Sequence, residues 1–369
     1  MSDQIITIFS QFATQGSFGE STLLTLGHIN QTFFIKTIEN DKPNYLLQQM
    51  NHNIFKNIDY LQENIFRVTN HIRQKLQNIQ GSQPNRQVLT IIPTTSNKLY
   101  YQDIDGNFWR LFIYIEHKKS YNQVLSAKLA KEGGFAFANF QAQLADLGGE
   151  PLHETIPNFH NMEFRMQQFN EAIEQNAAQR IDKIKSEIAE ILKRASEMTC
   201  IDRLGREGKL PKRITHCDTK FNNILFDEND RALCIIDLDT VMPGYVLSDF
   251  GDAIRTGATT AAEDEQNISK VSMNIDLFKA YTQGYIAGAK KFLTGIEIEY
   301  LAFGAKLLTY MQAVRFFTDY INGDTYYKTV HPEHNLQRTH AQLALLYSIE
   351  KQYDTMRTIV DDSVNAFDE

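Results

Sequence analysis

The segment His216-Cys217-Asp218-Thr219-Lys220-Phe221-Asn222-Asn223 sets an aspartate, a lysine two residues on and an asparagine five residues on in one short stretch before an apolar run. In-line transfer of a phosphoryl group needs three things: a carboxylate that orients an attacking hydroxyl and takes its proton, a cation over the migrating group, and oxygen ligands for magnesium. Asp218, Lys220 and Asn223 supply them. A second carboxylate should complete the metal site, because Mg²⁺ takes few protein oxygens and fills its octahedron with water and phosphate. Asp237, in Ile235-Ile236-Asp237-Leu238-Asp239, is the obvious candidate. Asp239 shares its strand face by the period of two, so the pattern alone leaves both open.

These residues need a frame. Ile224 to Phe226 and Leu233 to Ile236 flank the turn Asp227-Glu228-Asn229-Asp230 and read as a hairpin that returns its end towards the first loop. In the first third, Thr22 to Ile38 is broken by Gly27, Tyr45 to Met50 follows Pro43, and Trp109 to Ile115 follows the turn Asp105-Gly106, which predicts a mostly antiparallel sheet. Apolar residues at Ile58, Leu61, Ile65, Val68 and Ile72 predict a helix within 54–76, and Ile5, Ile8, Phe9 and Phe12 predict an amphipathic N-terminal helix. From about Ser120 long helical patterns dominate, the clearest running through Ile181, Ile184, Ile188, Ile191 and Ala195, with Glu190 and Arg194 paired at i, i+4. Gly133-Gly134 and Gly148-Gly149 read as turn glycines around a helix over 135–147. The expected class is α+β: a small sheet lobe over 1–113, a hinge over 114–120, and a mostly helical lobe over 121–369.

The pattern H-x-D-x-x-x-x-N, followed about twenty residues later by I-D, resembles the aminoglycoside and choline kinase superfamily, distant relatives of protein kinases. Within it the chain is most similar to the N-acetylhexosamine 1-kinases. That likeness extends over Gly27-His28-Ile29-Asn30, Tyr45-Leu46-Leu47-Gln48-Gln49-Met50-Asn51, Ile115-Glu116-His117, Ser120-Tyr121-Asn122, Asp237-Leu238-Asp239-Thr240-Val241-Met242-Pro243-Gly244, Asp249-Phe250-Gly251-Asp252 and Pro332-Glu333-His334-Asn335-Leu336. The resemblance covers residues 20 to 340. It implies a bilobal protein-kinase-like fold and ATP-dependent phosphorylation of the anomeric hydroxyl of N-acetylglucosamine or N-acetylgalactosamine. Asp218 would be the base, and Asn223 with Asp237 the magnesium ligands. It also implies that His216 holds the loop backbone. Asp249-Phe250-Gly251, literally the metal-binding tripeptide of protein kinases, would instead support the active-site loops, because it lies well beyond the second-strand position.

The nucleotide lobe departs from the kinase pattern. A lysine is expected on the third strand to neutralise the α and β phosphates, yet Gln48 and Gln49 stand there. An amide still donates to phosphate oxygen, and Lys36 on the preceding strand is the competing cation. Gly27 and Asn30 would let a hairpin backbone approach the phosphates, and the backbone of Tyr114, Ile115 and Glu116 would read the adenine edge. For the acceptor the candidates are His28, Asn222, Arg315 and Tyr326: arginine offers rigid donors to sugar oxygens, and an aromatic face stacks on a pyranose.

Thirty-seven basic against 45 acidic residues give a net charge of −8, with no dense basic stripe, which excludes nucleic acid as the main partner. No run of about 18 apolar residues is present, so no membrane span is expected. Three cysteines without a C-x-x-C pair fit a reducing cytoplasm and neither a disulfide framework nor a thiolate metal site. His331, His334 and His340 lie about a helix start marked by Pro332 and Glu333 and are not read as zinc ligands. The expected cosubstrate is ATP with Mg²⁺, the partner a small sugar, and the state a monomer. The alternatives are another small-molecule kinase, for choline, methylthioribose, homoserine or an aminoglycoside, or a nucleotide-binding pseudokinase.

Overall fold

A computed structural model describes residues 2–24 and 29–368. The chain divides into two compact units that interleave in sequence: the first comprises Met1–Lys119, Asp146–Pro157 and Leu225–Met242, and the second Ser120–Ala145, Asn158–Ile224 and Pro243–Glu369.

In the first unit the alternating apolar runs become β1 (Phe18–Leu24), β2 (Gln31–Thr37), β3 (Tyr45–Met50), β4 (Ile91–Ile92), β5 (Tyr101–Gln102) and β6 (Phe108–Ile113). They form one antiparallel sheet in the order β1-β2-β3-β6-β4, with β5 also on β6. Alternation gives this sheet two unlike faces. One, with Phe33, Ile35, Tyr45, Leu47, Trp109 and Leu111, closes over Ile5, Ile8, Phe9 and Phe12, which come from α1 (Ser2–Phe9) and the residues after it. The other carries two rows across the strands. Thr32 pairs with Gln48 and Gln48 with Arg110; beside them Phe34 pairs with Leu46 and Leu46 with Phe112.

The helix expected over 54–76 is α2 (Ile58–Gln77); it begins where Asn57, as N-cap, accepts the N–H of Tyr60, and it buries Leu61, Ile65, Val68 and Ile72.

The second unit is helical: α4 (Ala127–Leu144), α5 (Met162–Gln175), α9 (Val246–Gly257), α10 (Ile275–Ala289), α12 (Leu301–Ile321) and α13 (His334–Asp368) carry its core, with short helices α6 (Lys185–Leu192), α7 (Ala195–Met198), α8 (Cys200–Arg206) and α11 (Gly295–Glu299) between them. The remaining short helix, α3 (Pro84–Gln87), belongs to the first unit.

Two sequence expectations change here. Gly133 and Gly134 are no turn; α4 runs straight through them, because a Cβ at Gly133 would stand 2.3 Å from the Phe221 ring and one at Gly134 2.1 Å from the Tyr281 carbonyl. They are sites of close approach. The long helix read through Ile181 to Ala195 is instead a 3₁₀ turn (Ile181–Lys183), α6 and α7, although the Glu190–Arg194 pair forms at 2.8 Å. Arg194 there also reaches Glu350 on α13, a tertiary bond that local periodicity does not report.

Candidate active site

The catalytic-loop candidates follow β7 (Arg213–Thr215) in the second unit. Asp249, in the first turn of α9 and 1% exposed, accepts the backbone N–H groups of His216 and Cys217, each at 2.8 Å, and the amide of Gln141 at 2.7 Å. Burial pushes its carboxyl above the usual range against the pull of those donors. Thr219 is tied to the same helix, its N–H to Asp252 and its hydroxyl to the Asp249 carbonyl. Asp252 is in turn held by Arg255. Asp249 thus braces the loop from behind, as the resemblance implied. His216 does likewise: its Nδ1 accepts the N–H of Asp218 at 3.3 Å, and its ring lies edge-on to Phe137 and Phe140.

Against this backing three side chains meet. Lys220 Nζ lies 3.0 Å from Asp218 Oδ1, and the Asp218 charge raises the lysine pKa. Asn223 donates Nδ2 to the Asp218 carbonyl at 2.8 Å and to Oδ2 at 3.3 Å, which turns its amide oxygen away from the carboxylate. That oxygen suits a hard cation. Among the described residues no three His, Cys, Asp or Glu side chains gather as a metal cage. Asn222 Oδ1 is buried without a hydrogen-bond partner.

Asp237 belongs to the first unit. The hairpin forms as β8 (Ile224–Phe226) and β9 (Ala232–Ile235), but the strand stops before Asp237. Asp237 is left-handed (φ 59°), and a 3₁₀ turn, Leu238–Thr240, follows. The period-of-two argument for Asp239 therefore fails. Asp237 is exposed whereas Asp239 is buried, its carboxylate held by Arg110 and, at 2.6 Å, by Asn30.

The nucleotide candidates are reassigned in part. Asn30 does not frame an open loop: while bonded to Asp239 it also accepts the N–H of Asn51 at 3.0 Å. Gln48 donates to Thr32 at 3.0 Å and accepts from Arg110 Nε at 2.9 Å, so both ends of its amide are engaged. Lys36 is exposed and paired with Glu20. Tyr114 has its N–H on the Asn44 carbonyl, which removes that group as a reader of adenine; its ring meets Phe34 at 4.7 Å and carries Lys118 Nζ over it at 3.8 Å. Glu116 accepts from the Asn44 amide, and Ile115 is buried. Gly27 and His28 lie outside the described residues.

Sequence reasoning missed Arg110. A lone arginine in the apolar run Phe108-Trp109-Arg110-Leu111-Phe112 was the available signal.

Among the acceptor candidates, Arg315 on α12 bonds Gln312 and lies over the rings of Phe159 and Tyr327, at 5.1 and 5.7 Å. Phe159 stacks on His160 at 4.7 Å, and its carbonyl accepts from Arg165 at 2.8 Å. His160 Nδ1 and Arg165 Nε are shielded and have no hydrogen-bond partner in the protein. Burial, reinforced by the charges of Arg315 and Arg165, drives the His160 pKa from 6.5 down to about 3, with Asp218 pulling the other way. Tyr326 is exposed, edge-on to Tyr327; its N–H, like those of Thr325 and Tyr327, is held by Asp319. His160, Arg165 and Asp319 carried no local sequence signature. His334 and His340 bond Asp264 and Glu187, and no helix among the described residues is long and apolar enough to cross a membrane.

The phosphotransferase enzyme family matches residues 22–282. Among solved structures, an aminoglycoside phosphotransferase from Alicyclobacillus acidocaldarius superposes with a TM-score of 0.61 at 10% identity, covering 96% of each chain. A choline kinase from Cryptosporidium parvum gives 0.57 at 14%, covering 98% of each. An amicoumacin kinase in complex with AMP-PNP and Ca²⁺ gives 0.58 at 11%, covering 96% of this chain and 93% of that one. The fold is protein-kinase-like, with an antiparallel sheet region followed by a helical one.

Proposed function

Since the chain belongs to the phosphotransferase enzyme family and is a kinase for a small-molecule hydroxyl, we propose that it phosphorylates the anomeric hydroxyl of N-acetylhexosamines with ATP and Mg²⁺. The observation that carries the choice of acceptor is the pair of guanidiniums, Arg315 and Arg165, gathered about Phe159 and His160. Arg315 lies over the Phe159 ring at 5.1 Å, Arg165 donates to the Phe159 carbonyl at 2.8 Å, and Phe159 stacks on His160. Cationic acceptors such as choline or an aminoglycoside are repelled by such surroundings. An uncharged sugar is not, and its ring oxygens and acetamide carbonyl match guanidinium donors. Asn222, Tyr326 and His28 complete the set assigned to the sugar.

In this reading Asp218 accepts the proton of the attacking hydroxyl and orients it, and Lys220 steadies the carboxylate while presenting a cation to the phosphoryl group. Asn223 and Asp237 each offer one oxygen to Mg²⁺, which when bound would neutralise charge on the phosphates. The apolar row Phe34, Leu46 and Phe112, with Tyr114 beside Phe34, covers the adenine, whose edge falls to the backbone of Ile115 and Glu116. The reaction belongs in the cytoplasm, where ATP is supplied.

ATP consumption measured against a panel of N-acetylhexosamines, hexoses, amino alcohols and aminoglycosides tests the assignment. An N-acetylhexosamine should exceed every cationic acceptor in kcat/KM by about tenfold or more. A cationic acceptor at the head of the panel would overturn it.

A further inference from the structure

The first unit holds a buried cation that the reaction scheme leaves unassigned. Arg110 is 2% exposed, at the end of the polar row Thr32, Gln48 and Arg110 on the sheet face turned away from α1. A guanidinium removed from water persists only when charge and hydrogen bonds are both matched. Arg110 meets that demand from two directions: Nε donates to Gln48 Oε1, itself fixed by Thr32, and Nη1 donates to the carboxylate of Asp239. Asp239 is the second residue of the turn that Asp237 opens.

That turn is gripped at every exit. The Asp239 carboxylate also takes Asn30, its carbonyl accepts the hydroxyl of Thr155 at 2.9 Å, and the carbonyl of Val241 accepts Asn64 at 3.0 Å. All of these residues lie in the first unit. Asp237 itself sits at φ 59° and ψ 56°, the left-handed conformation that an aspartate's short polar side chain tolerates. The arrangement joins an exposed carboxylate at a left-handed turn to a buried clamp two residues away.

We propose that Arg110, acting through Asp239, is a positioning residue that sets the Asp237 carboxylate for magnesium. The inference rests on the assignment of Asp237 to the metal. The positive charge absent from strand β3 thus stands on β6, where it fixes the metal-bearing turn. Gln48 serves as the spacer that orients the guanidinium. Outer residues of this kind govern metal affinity more than fold.

The test is binding without turnover. A fluorescent ATP analogue is titrated into the whole protein, without acceptor, in EDTA and at graded Mg²⁺. Arg110→Met/Asp239→Asn removes both charges together and leaves no uncompensated ion in the core. It should keep the parent's affinity in EDTA while its Mg²⁺ requirement rises by about tenfold or more. Arg110→Lys, which retains the charge but not the fork that spans Gln48 and Asp239, should show the same shift in smaller degree and serves alone if the double variant does not fold. Asp237→Asn in the same titration separates the two claims. If Asp237→Asn loses the Mg²⁺ dependence while the Arg110 variants keep it in full, the positioning role is wrong and the metal assignment stands. If Asp237→Asn keeps it, the metal assignment is wrong and the clamp has nothing to position.

Discussion

Asn223 donates its side-chain amide to the backbone carbonyl of Asp218 at 2.8 Å. The residue assigned to magnesium and the residue assigned to the proton are therefore parts of one short, closed loop, and neither can be displaced without moving the other.

Asp218→Asn keeps the shape of that loop and removes the proton acceptor. It should leave nucleotide binding intact and lower kcat by about 10² to 10⁴. Asn223→Ala opens the loop and should in addition raise the half-saturating Mg²⁺ by about tenfold or more. Steady-state kinetics across a Mg²⁺ series distinguishes them; equal Mg²⁺ curves would remove Asn223 from the metal.

Asp249 is braced against the loop and not aimed at a ligand. Asp249→Ala strands two buried N–H groups, those of His216 and Cys217, and should cost roughly 3 kcal/mol in denaturant unfolding. Asp218→Asn should cost far less. Similar unfolding midpoints for Asp249→Ala and the parent would contradict the bracing role.

The proposed catalytic loop was legible as a grouping because its contacts are local. Asp218, Lys220 and Asn223 lie within six residues, and their contacts follow from one tight turn. The sheet was legible for a similar reason, since alternation alone sorts Phe33, Ile35 and Leu47 onto the covered face. What stayed hidden depends on partners remote in sequence. Arg110 and Asp239 are 129 residues apart, and neither residue's neighbours announce the pair. Alternation was carried too far at Asp237, where the backbone turns left-handed and the strand period ends. Gly133 and Gly134 looked like turns because a glycine pair reveals its conformational freedom and not what presses on it; the Phe221 ring and the Tyr281 carbonyl are supplied only by the folded chain.

His160 makes the fold sensitive to acid. Its pKa falls from 6.5 to about 3 in the folded state, so between those values the unfolded chain binds a proton that the folded chain refuses. The stability it contributes is complete above about pH 6.5 and is lost as pH falls towards 3, by up to about 1.4 kcal/mol per pH unit. His160→Gln should flatten this slope in unfolding curves recorded at pH 7, 6 and 5. An unchanged slope would place the acid sensitivity elsewhere.

Arg315→Ala removes a guanidinium assigned to the acceptor and should raise the sugar KM by about tenfold to a hundredfold, with the KM for ATP unchanged. A fall in kcat would accompany it if the hydroxyl is no longer aligned for attack. A change confined to the KM for ATP would move Arg315 out of the acceptor site.

Phosphorus NMR of the product formed from N-acetylglucosamine and ATP tests the proposed reaction most directly. The acceptor oxygen attacks phosphorus and its bond to C1 is never broken, so the α-anomer must yield the α-1-phosphate, seen as a phosphorus signal coupled to H1. A phosphate coupled to H6, a β-1-phosphate from the α-anomer, or ATP hydrolysis without any sugar phosphate would contradict the assignment.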